Sequence, residues 1–474
     1  MVKITVLFLF LFFLLFPQEI LAIYDPLSVP NNRYGIHITQ ESDITDAANL
    51  VNSAGGDWGY VTLVIQKGER NLAHWQNVFN RFRRLHLIPL VRIATAQLKG
   101  GWEKPSEDEI DGWVDFLGSL NWPTANRYVI VGNEPNHAKE WGGEISPEGY
   151  ADYLKKFSRK AKAKSDDFFI LPAALDFSAA TNRDSFDAAA FIQRMLKAHP
   201  DLFDWVDGLN SHSYPNPDFS GNETAKGRGT VATFLWEESY LKSLGVNKEF
   251  PIFITETGWA HKIESQNNGY LDPAQIGSKL KLAFENTWNH PRVVVVTPFI
   301  INYQSPPFDI FSWKKPDGSF YPFFETVKSL AKTKGEPVQK TSGEILRAFL
   351  PAFVEPGQTF TIALLLKNTG QSIWNEEEVF TLRDIANKIE ITKVITLPKM
   401  EPGENKIVLF EARLIVEAEK QLGYLTLFEG KNIISNAYPF EIRLYKPQNF
   451  LEYFISIKNS VAVAILEFFA KTGL

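Results

Sequence analysis

Eight short apolar runs recur along the N-terminal part of the chain, and stretches with helical periodicity lie between them. Several runs, such as Val293–Val296, are continuously apolar, as expected of parallel strands buried on both faces. Eight strand–helix units over about 300 residues predict an α/β fold, the (β/α)8 TIM barrel. The predicted strands are Arg33–Thr39, Tyr60–Gln66, Ile88–Ala94, Arg127–Asn133, Phe168–Leu175, Trp205–Ser211, Pro251–Thr255 and Arg292–Tyr303.

A doubly wound parallel sheet is the alternative arrangement for such a pattern. That fold usually carries a glycine-rich phosphate-binding turn after its first strand. Here the first run continues into Ile38, Thr39, Gln40 and Glu41, which contain no glycine. The barrel is therefore the favoured prediction, and we assign it to residues 23–335.

The pattern changes after the lysine-rich segment Lys332–Pro337, where short alternating runs are separated by turn residues such as Pro356-Gly357 and Pro402-Gly403. About seven short strands in about 100 residues are typical of a β-sandwich. The segment Leu366–Trp374 resembles the immunoglobulin-like accessory domains that follow many extracellular catalytic domains. We therefore predict a smaller all-β, immunoglobulin-like sandwich over residues 336–446.

The two ends of the chain carry apolar segments. Lys3, the apolar run Ile4–Phe16 and the small residue Ala22 predict a signal peptide over residues 1–22, and hence a secreted or cell-envelope protein. Retention as an N-terminal anchor is the alternative, because Ile20 stands where cleavage prefers a small residue. Residues 447–474 are predicted to form an amphipathic helix, which either packs on its own domain or lies at a membrane surface.

Composition narrows the classes of function. The 474 residues include no cysteine, which excludes disulfides and a cysteine nucleophile. The net charge of −6 and the lack of a basic block argue against a nucleic-acid partner. The sequence shows no cluster of metal ligands, and we expect neither a metal nor another cofactor.

Two glutamates follow apolar strands. Glu134 comes after the fourth predicted strand, within Val129-Ile130-Val131-Gly132-Asn133-Glu134-Pro135, and Glu256 ends the seventh, within Ile252-Phe253-Ile254-Thr255-Glu256. Taken singly, Glu134 could cap the next helix, and Glu256 could be a polar residue at the barrel rim. A barrel brings the carboxyl ends of all its strands to one mouth, so we expect the two carboxyl groups to meet there.

The segments Asn133-Glu134-Pro135 and Thr255-Glu256-Thr257-Gly258-Trp259 resemble the two catalytic motifs of the clan A glycoside hydrolases. His212-Ser213-Tyr214 after the sixth strand is similar to the His-x-Tyr element of several families in that clan. Families five and thirty-nine and the cellulase-like domains near them are the most similar, and the resemblance covers about 300 residues.

This resemblance implies a retaining β-glycosidase with a carbohydrate substrate, in which Glu256 is the nucleophile and Glu134 is the acid/base residue. It further implies that Asn133 binds the 2-hydroxyl of the sugar and that Tyr214 donates a hydrogen bond to Glu256. His212 would bind substrate or support Glu134.

Other candidates are single residues. Arg92 is a charge within an apolar run, and either forms an ion pair at the barrel bottom or keeps Glu256 ionised. In the similar families such an arginine usually follows the second strand, whereas Arg92 belongs to the third. His37 either lines the sugar pocket or is a core histidine. Trp259 and Trp141 follow strands and are predicted to stack on sugar rings, although some of the tryptophans must simply pack in the core.

Two other functions remain open at this point. The barrel could be a carbohydrate-binding pseudo-enzyme that has lost turnover, or the protein could assist the assembly of the cell envelope. Both glutamates are present, which favours the enzyme.

Overall fold

A computed structural model describes residues 23–263, 270–355, 357–374, 380–394, 399–415, 419–444, 449–451, 454, 455, 461 and 465. The chain separates into two compact units, Met1–Val338 and Gln339–Leu474. The predicted signal peptide and most of the predicted C-terminal helix lie outside the described residues. Six described residues of that last stretch are helical and expose apolar side chains, namely Phe450, Leu451, Phe454, Ile455, Val461 and Ile465. In the described parts of the chain, no helix combines the length and apolar character needed to cross a membrane.

Parallel strands form the centre of the first unit, and the described residues contain the eight that the sequence predicts. They are β1 (Gly35–His37), β2 (Gly59–Gln66), β3 (Leu87–Ala94), β4 (Arg127–Val131), β5 (Phe168–Pro172), β6 (Leu209–His212), β7 (Ile252–Glu256) and β8 (Val293–Val296). Strands β1 to β5 pair in chain order, as do β6 to β8, and β5 lies beside β6. A parallel bridge between Tyr34 and Val296 closes the ring. The predicted TIM barrel is therefore confirmed.

Eight α-helices of the described residues surround the strands. They are α1 (Ile44–Val51), α2 (Leu72–Arg84), α3 (Ile110–Ser119), α4 (Pro147–Lys164), α5 (Ala188–Ala198), α6 (Thr233–Ser243), α7 (Pro273–Leu282) and α8 (Pro322–Lys328). Polar side chains begin several of them. Asn71 accepts a hydrogen bond from the His74 N–H at the start of α2, and Asp272 forms a capping box with Gln275 at the start of α7.

Apolar side chains fill the lower part of the barrel interior, and polar side chains line its carboxyl-terminal mouth. Leu90, Tyr128 and Phe253 belong to the buried layer inside the barrel, and burying each such side chain contributes about 1.5–3 kcal/mol. Because side chains alternate along a strand, Arg92 points to the same interior as Leu90, one step nearer the mouth. The apolar layer thus forms a floor that holds the polar residues above it.

The second unit is an antiparallel β-sandwich. One sheet has the order β9 (Gly343–Phe349), β10 (Thr359–Asn368), β13 (Asn405–Leu414), β12 (Ile389–Val394), and the other joins β14 (Lys420–Glu429) to β11 (Phe380–Asp384) and β15 (Tyr438–Arg443). Side chains of both sheets share one buried core that includes Leu364, Trp374 and Leu427. The predicted all-β domain is confirmed. Its alternating runs in the sequence begin only at Phe360–Leu366, so β9 was not predicted.

Candidate active site

Glu134 and Glu256 both lie at the carboxyl-terminal mouth of the barrel. Glu256 is the last residue of β7 and is buried, while Glu134 lies in the sharp turn after β4. In that turn φ is +92° at Gly132 and +31° at Glu134, a conformation that costs a glutamate about 1–3 kcal/mol. Backbone hydrogen bonds hold it, since the Glu134 N–H donates to the Ala174 carbonyl and the Glu134 carbonyl accepts from the His137 N–H.

His212 joins the two carboxyl groups. An irregularity in the pairing of β6 with β7 places His212 opposite Glu256, so both side chains point into the barrel. Its Nδ1 lies 2.8 Å from Oε1 of Glu134 and 3.8 Å from Oε2 of Glu256. These two oxygens can therefore be no farther apart than the sum of the two distances. In inverting glycosidases the two carboxyl groups are about 6.5–9.5 Å apart, and the sum here is close to the lower end of that range. Because the oxygen–oxygen distance equals the sum only when the three atoms are collinear, a bent arrangement places the two oxygens closer together than in an inverting enzyme.

Both oxygens of Glu256 have donors. Nη1 of Arg92 lies 2.9 Å from Oε1, and the Tyr214 hydroxyl donates to Oε2 at 3.1 Å. Burial alone would raise the pKa of Glu256, but the positive charges of His212 and Arg92 and the Tyr214 hydrogen bond outweigh it and lower the pKa. Glu256 is thus held as a carboxylate at neutral pH.

The histidine and tyrosine respond to the same charges. Burial disfavours the charged form of His212, but the carboxylates of Glu256 and Glu134 outweigh burial and raise its pKa. The pKa of Tyr214 is raised well above its ordinary value by burial and by the same two carboxylates. His212 therefore favours its protonated form, next to an ionised Glu256.

Asn133 lies between a cation and a third carboxyl group. Its Oδ1 accepts from Nη1 of Arg92 at 2.5 Å, and its Nδ2 donates to Oε2 of Glu140 at 3.4 Å. Glu140 was not among the predicted site residues. The signal available in the sequence was an acidic residue in the same loop as Glu134, which is a weak one because loops are rich in charge.

His37 is buried beside Glu256, with Nε2 at 3.9 Å from Oε1 of that residue. Burial lowers its pKa to about 3, so the ring is neutral. Among the described residues neither ring nitrogen has a hydrogen-bond partner. The ring edge packs on Phe299, with the two ring centroids 5.1 Å apart. His37 is therefore a neutral polar group at the inner end of the mouth.

The prediction that Trp259 and Trp141 offer their faces to sugar rings is wrong, because both are 3% exposed and belong to the hydrophobic core. Trp259 packs against Trp288 and donates its indole N–H to the Gly221 carbonyl. Trp141 packs edge to face with Tyr150 and Tyr153. A large ring that follows a strand gains most by burial between the barrel and its helices, and here that gain decides its position.

Exposed aromatic surface comes instead from the loop after β8. Phe308 is 39% exposed, and its ring lies 5.4 Å from that of Phe299 and 5.5 Å from that of Tyr303. Phe299 in turn contacts His37. This aromatic wall, defined as Phe299, Tyr303 and Phe308, lies on the β8 side of the carboxyl pair.

The predicted site residues thus divide into two groups. The structure brings seven of them together at the mouth, namely Arg92, Asn133, Glu134, His212, Tyr214, Glu256 and His37. The two tryptophans are the exceptions. Among the described residues no group of three or more histidine and acidic side chains is arranged to hold a metal ion.

The chain matches no protein-family model and no curated protein sequence. Among solved structures it is similar to a GH39 β-xylosidase from Caulobacter crescentus, at 12% identity and a TM-score of 0.43 over 81% of this chain and 97% of that one. It is also similar to a GH128 endo-β-1,3-glucanase from Sorangium cellulosum, at 16% identity and a TM-score of 0.41 over 64% and 98% of the two chains.

A third similar structure is a glucosidase from Croceicoccus marinus, at 12% identity and a TM-score of 0.46 over 79% of this chain and 82% of that one. These three structures are glycoside hydrolases. Similarity at this level does not carry an activity over to this chain, whose function must be inferred from its own side chains.

Proposed function

We propose that this protein is a retaining β-glycosidase that hydrolyses O-glycosidic bonds of an oligosaccharide or polysaccharide. The observation that supports it most strongly is the position of Glu134 and Glu256 on either side of His212, within reach of one ring nitrogen. Two carboxyl groups on opposite sides of a cleft, one ionised and one able to give a proton, are what glycoside hydrolysis requires.

In the first step a Glu256 oxygen attacks the anomeric carbon of the sugar. A bond forms between them while the bond from that carbon to the leaving oxygen breaks. Glu134 transfers its proton to the leaving oxygen, so the aglycone departs as a neutral alcohol. The product of this step is a glycosyl ester on Glu256.

In the second step a water molecule attacks the same carbon. Glu134, now a carboxylate, removes a proton from the water, and the bond between the sugar and Glu256 breaks. Glu134 is then protonated and Glu256 is again a carboxylate, so protons and bonds balance over the cycle. Two inversions at the anomeric carbon give net retention.

The electrostatics support this division of roles. Arg92 and Tyr214 contact Glu256 and lower the free energy of its carboxylate, as a nucleophile requires. Glu134 has His212 as its hydrogen-bond partner and no direct ion pair with Arg92 among those of the described residues. Asn133 precedes Glu134 in the chain and accepts a hydrogen bond from Arg92, which contacts Glu256. In this position its amide can meet the 2-hydroxyl of a bound sugar.

The limit on the carboxyl separation supports retention over inversion. An inverting enzyme needs room for a water molecule between its base and the anomeric carbon, and its carboxyl groups are about 6.5–9.5 Å apart. The distances from His212 Nδ1 to the two glutamates place the facing carboxylate oxygens close to or below the lower limit of that range.

The test uses a panel of aryl β-glycosides (glucoside, mannoside, xyloside, galactoside and glucuronide) with proton NMR of the first product. We expect hydrolysis of at least one substrate and a β-configured first product. We also expect Glu256→Ala to be inactive, and Glu134→Ala to keep activity on dinitrophenyl glycosides, which need little protonation. Glu144→Ala, an exposed glutamate of the β4 loop, is the control with wild-type rates. An α-configured first product, or wild-type rates in both active-site variants, would contradict the proposal.

We propose further that the protein is exported, on the basis of the apolar run within residues 1–22. The test is the N-terminal mass of the protein recovered from outside the cell. We expect the mass of a chain that begins after Ala22, and a chain with an intact N-terminus in the cytoplasmic fraction would contradict export.

Binding of the C-terminal segment to a membrane surface is tested by deleting the residues after Pro447. If the share of the protein in the membrane fraction does not change, membrane binding by this segment is contradicted.

A further inference from the structure

Glu140 is a carboxyl group at the site that neither step of the proposed mechanism uses. It ends the short turn Ala138–Glu140 that follows β4, and its side chain is turned toward Asn133. Burial, and secondarily the charge of Glu134, raises its pKa. A carboxyl group near another carboxylate is electrostatically unfavourable, so its presence here calls for a compensating contact.

That contact is with the amide of Asn133, whose orientation is determined from both ends. The guanidinium of Arg92 can only donate hydrogen bonds, so the atom that faces it must be the Asn133 oxygen. The Asn133 nitrogen then faces Glu140, which accepts from it. Glu140, Asn133, Arg92 and Glu256 therefore form one chain of polar contacts that ends on an oxygen of Glu256.

Packing alone does not hold the Asn133 amide. A cavity of about 40 Å³ lies beside it, bounded by Asn133, Glu140 and the rings of Trp102 and Trp141. A space of that size is large enough to hold water. An amide with free space on one side can rotate unless polar contacts fix it, and the contacts with Arg92 and Glu140 are the two that do so here.

We propose that Glu140 is a positioning residue, which holds the Asn133 amide with its oxygen on Arg92 and thereby fixes Asn133 for the sugar and Arg92 for Glu256. The kinetic part of this inference rests on the proposed glycosidase function. Without the carboxylate, Asn133 swings toward the cavity, and the contact with the sugar that should tighten in the transition state is lost.

The charge of Glu140 has a second effect, on the group that must donate a proton. The charged and titratable groups that face Glu134 are His212 and Tyr214 from the β6 side, Glu256 from β7, and His137 and Glu140 from its own loop. Glu140→Gln removes one negative charge from this set and keeps an oxygen that can accept from Asn133. A negative charge close to the proton donor is thereby lost, so the alkaline limb of the pH–rate profile moves to lower pH.

The experiment compares wild type with Glu140→Gln and Glu140→Ala by crystallography and by kinetics. In crystals we expect the Asn133 amide to keep its position in Glu140→Gln and to rotate toward the cavity in Glu140→Ala. In kinetics on the best aryl glycoside we expect Glu140→Ala to lose about 10–100-fold in kcat with little change in KM. Glu140→Gln should keep most of its kcat at the optimum, with the alkaline limb lower by about half a unit to one unit. Glu144→Gln, in the same loop but exposed and paired with Lys104, is the matched control and should match wild type.

An unmoved Asn133 in Glu140→Ala would overturn the inference, and so would an unshifted pH profile together with unchanged kcat in both variants. The two proposals fail separately. If wild type hydrolyses no glycoside, the proposed function fails, while the position of Asn133 in the crystals still decides the role of Glu140. If wild type is active and the variants do not differ from it, only the role of Glu140 fails.

Discussion

Glu237 is a buried acid whose charge is predicted to limit the stability of the barrel near neutral pH. It lies on α6 behind His212 and is 3% exposed. Among the described residues its Oε2 has no hydrogen-bond partner. Burial raises its pKa to about 8, and the hydroxyl of Ser211 and the charge of His212 oppose that rise only in part. The folded protein therefore binds a proton that the unfolded chain releases near the ordinary value of 4.5.

The sign of the pH dependence follows from this difference in proton binding. Because the pKa is raised on folding, the stabilisation by the protonated acid is complete below pH 4.5 and is lost progressively as the pH rises toward 8. Each pH unit in that window lowers the free energy of unfolding by about 1.4 kcal/mol. From pH 5 to pH 7 the loss is about 2.5 kcal/mol, because the dependence flattens slightly near each of the two pKa values. Glu237→Gln has the same shape and no proton to lose, so this part of the pH dependence disappears.

The assay is urea unfolding at pH 5, 6 and 7, followed by tryptophan fluorescence. Trp374 is the single tryptophan after residue 338, so the signal reports mainly on the barrel. We expect Glu237→Gln and wild type to be about equal at pH 5, and the variant to be about 2.5 kcal/mol more stable at pH 7. The matched control is the neighbouring Glu238, whose pKa is lowered by its hydrogen bond with Arg292. Glu238→Gln should be less stable at pH 7, by about 0.5–1 kcal/mol. A stability difference between Glu237→Gln and wild type that does not change with pH would refute the reasoning.

Three other predictions concern the mouth of the barrel. Arg92→Met should lower kcat about 100-fold and move the acidic limb of the pH–rate profile up by about one unit. The reason is that burial raises the pKa of Glu256 and the variant lacks the positive charge that lowers it. An unshifted acidic limb in a folded variant would contradict this. Tyr214→Phe removes the donor to Oε2 of Glu256 and should lower kcat about tenfold, and wild-type kcat would show that the hydrogen bond is unimportant. Trp259→Ala should lower the free energy of unfolding by about 3–5 kcal/mol because the ring is buried. Phe308→Ala should raise KM and leave the free energy of unfolding within about 0.5 kcal/mol of wild type. Urea unfolding and initial rates measure both effects, and a raised KM in Trp259→Ala with none in Phe308→Ala would mean that Trp259 and not the exposed ring binds sugar.

The barrel could be predicted because parallel strands that are buried on both faces appear in the sequence as continuous apolar runs. Val293–Val296 is buried at every position, and a short run that is apolar at every position is typical of such a strand. The pairing of Glu134 with Glu256 could be predicted as well, because both follow apolar strands and the carboxyl ends of barrel strands meet at one mouth. Arg92 belongs to the third strand, as the sequence predicts, and its contact with Glu256 excludes the alternative of an ion pair at the barrel bottom.

Other features depend on how side chains are oriented after the strands have assembled. Trp141 and Trp259 follow strands as a sugar-binding ring would, but the direction in which a loop turns them cannot be read from spacing, and both turn into the core. Glu140 and Glu237 resemble any other acid in a loop or a helix until their burial is known. Strand β9 has too little alternation to stand out, with burial that is irregular along its length.

The most direct test of the central claim is whether a sugar becomes covalently bound to Glu256. The protein that begins after Ala22 would be incubated with a panel of 2-deoxy-2-fluoro-β-glycosyl fluorides and examined by intact-mass spectrometry and peptide mapping. The proposed mechanism predicts an adduct of one fluorosugar on Glu256, absent from Glu256→Gln, and the sugar that reacts would identify the glycone. An adduct on another residue, or turnover of these glycosides with inversion and no adduct, would contradict it.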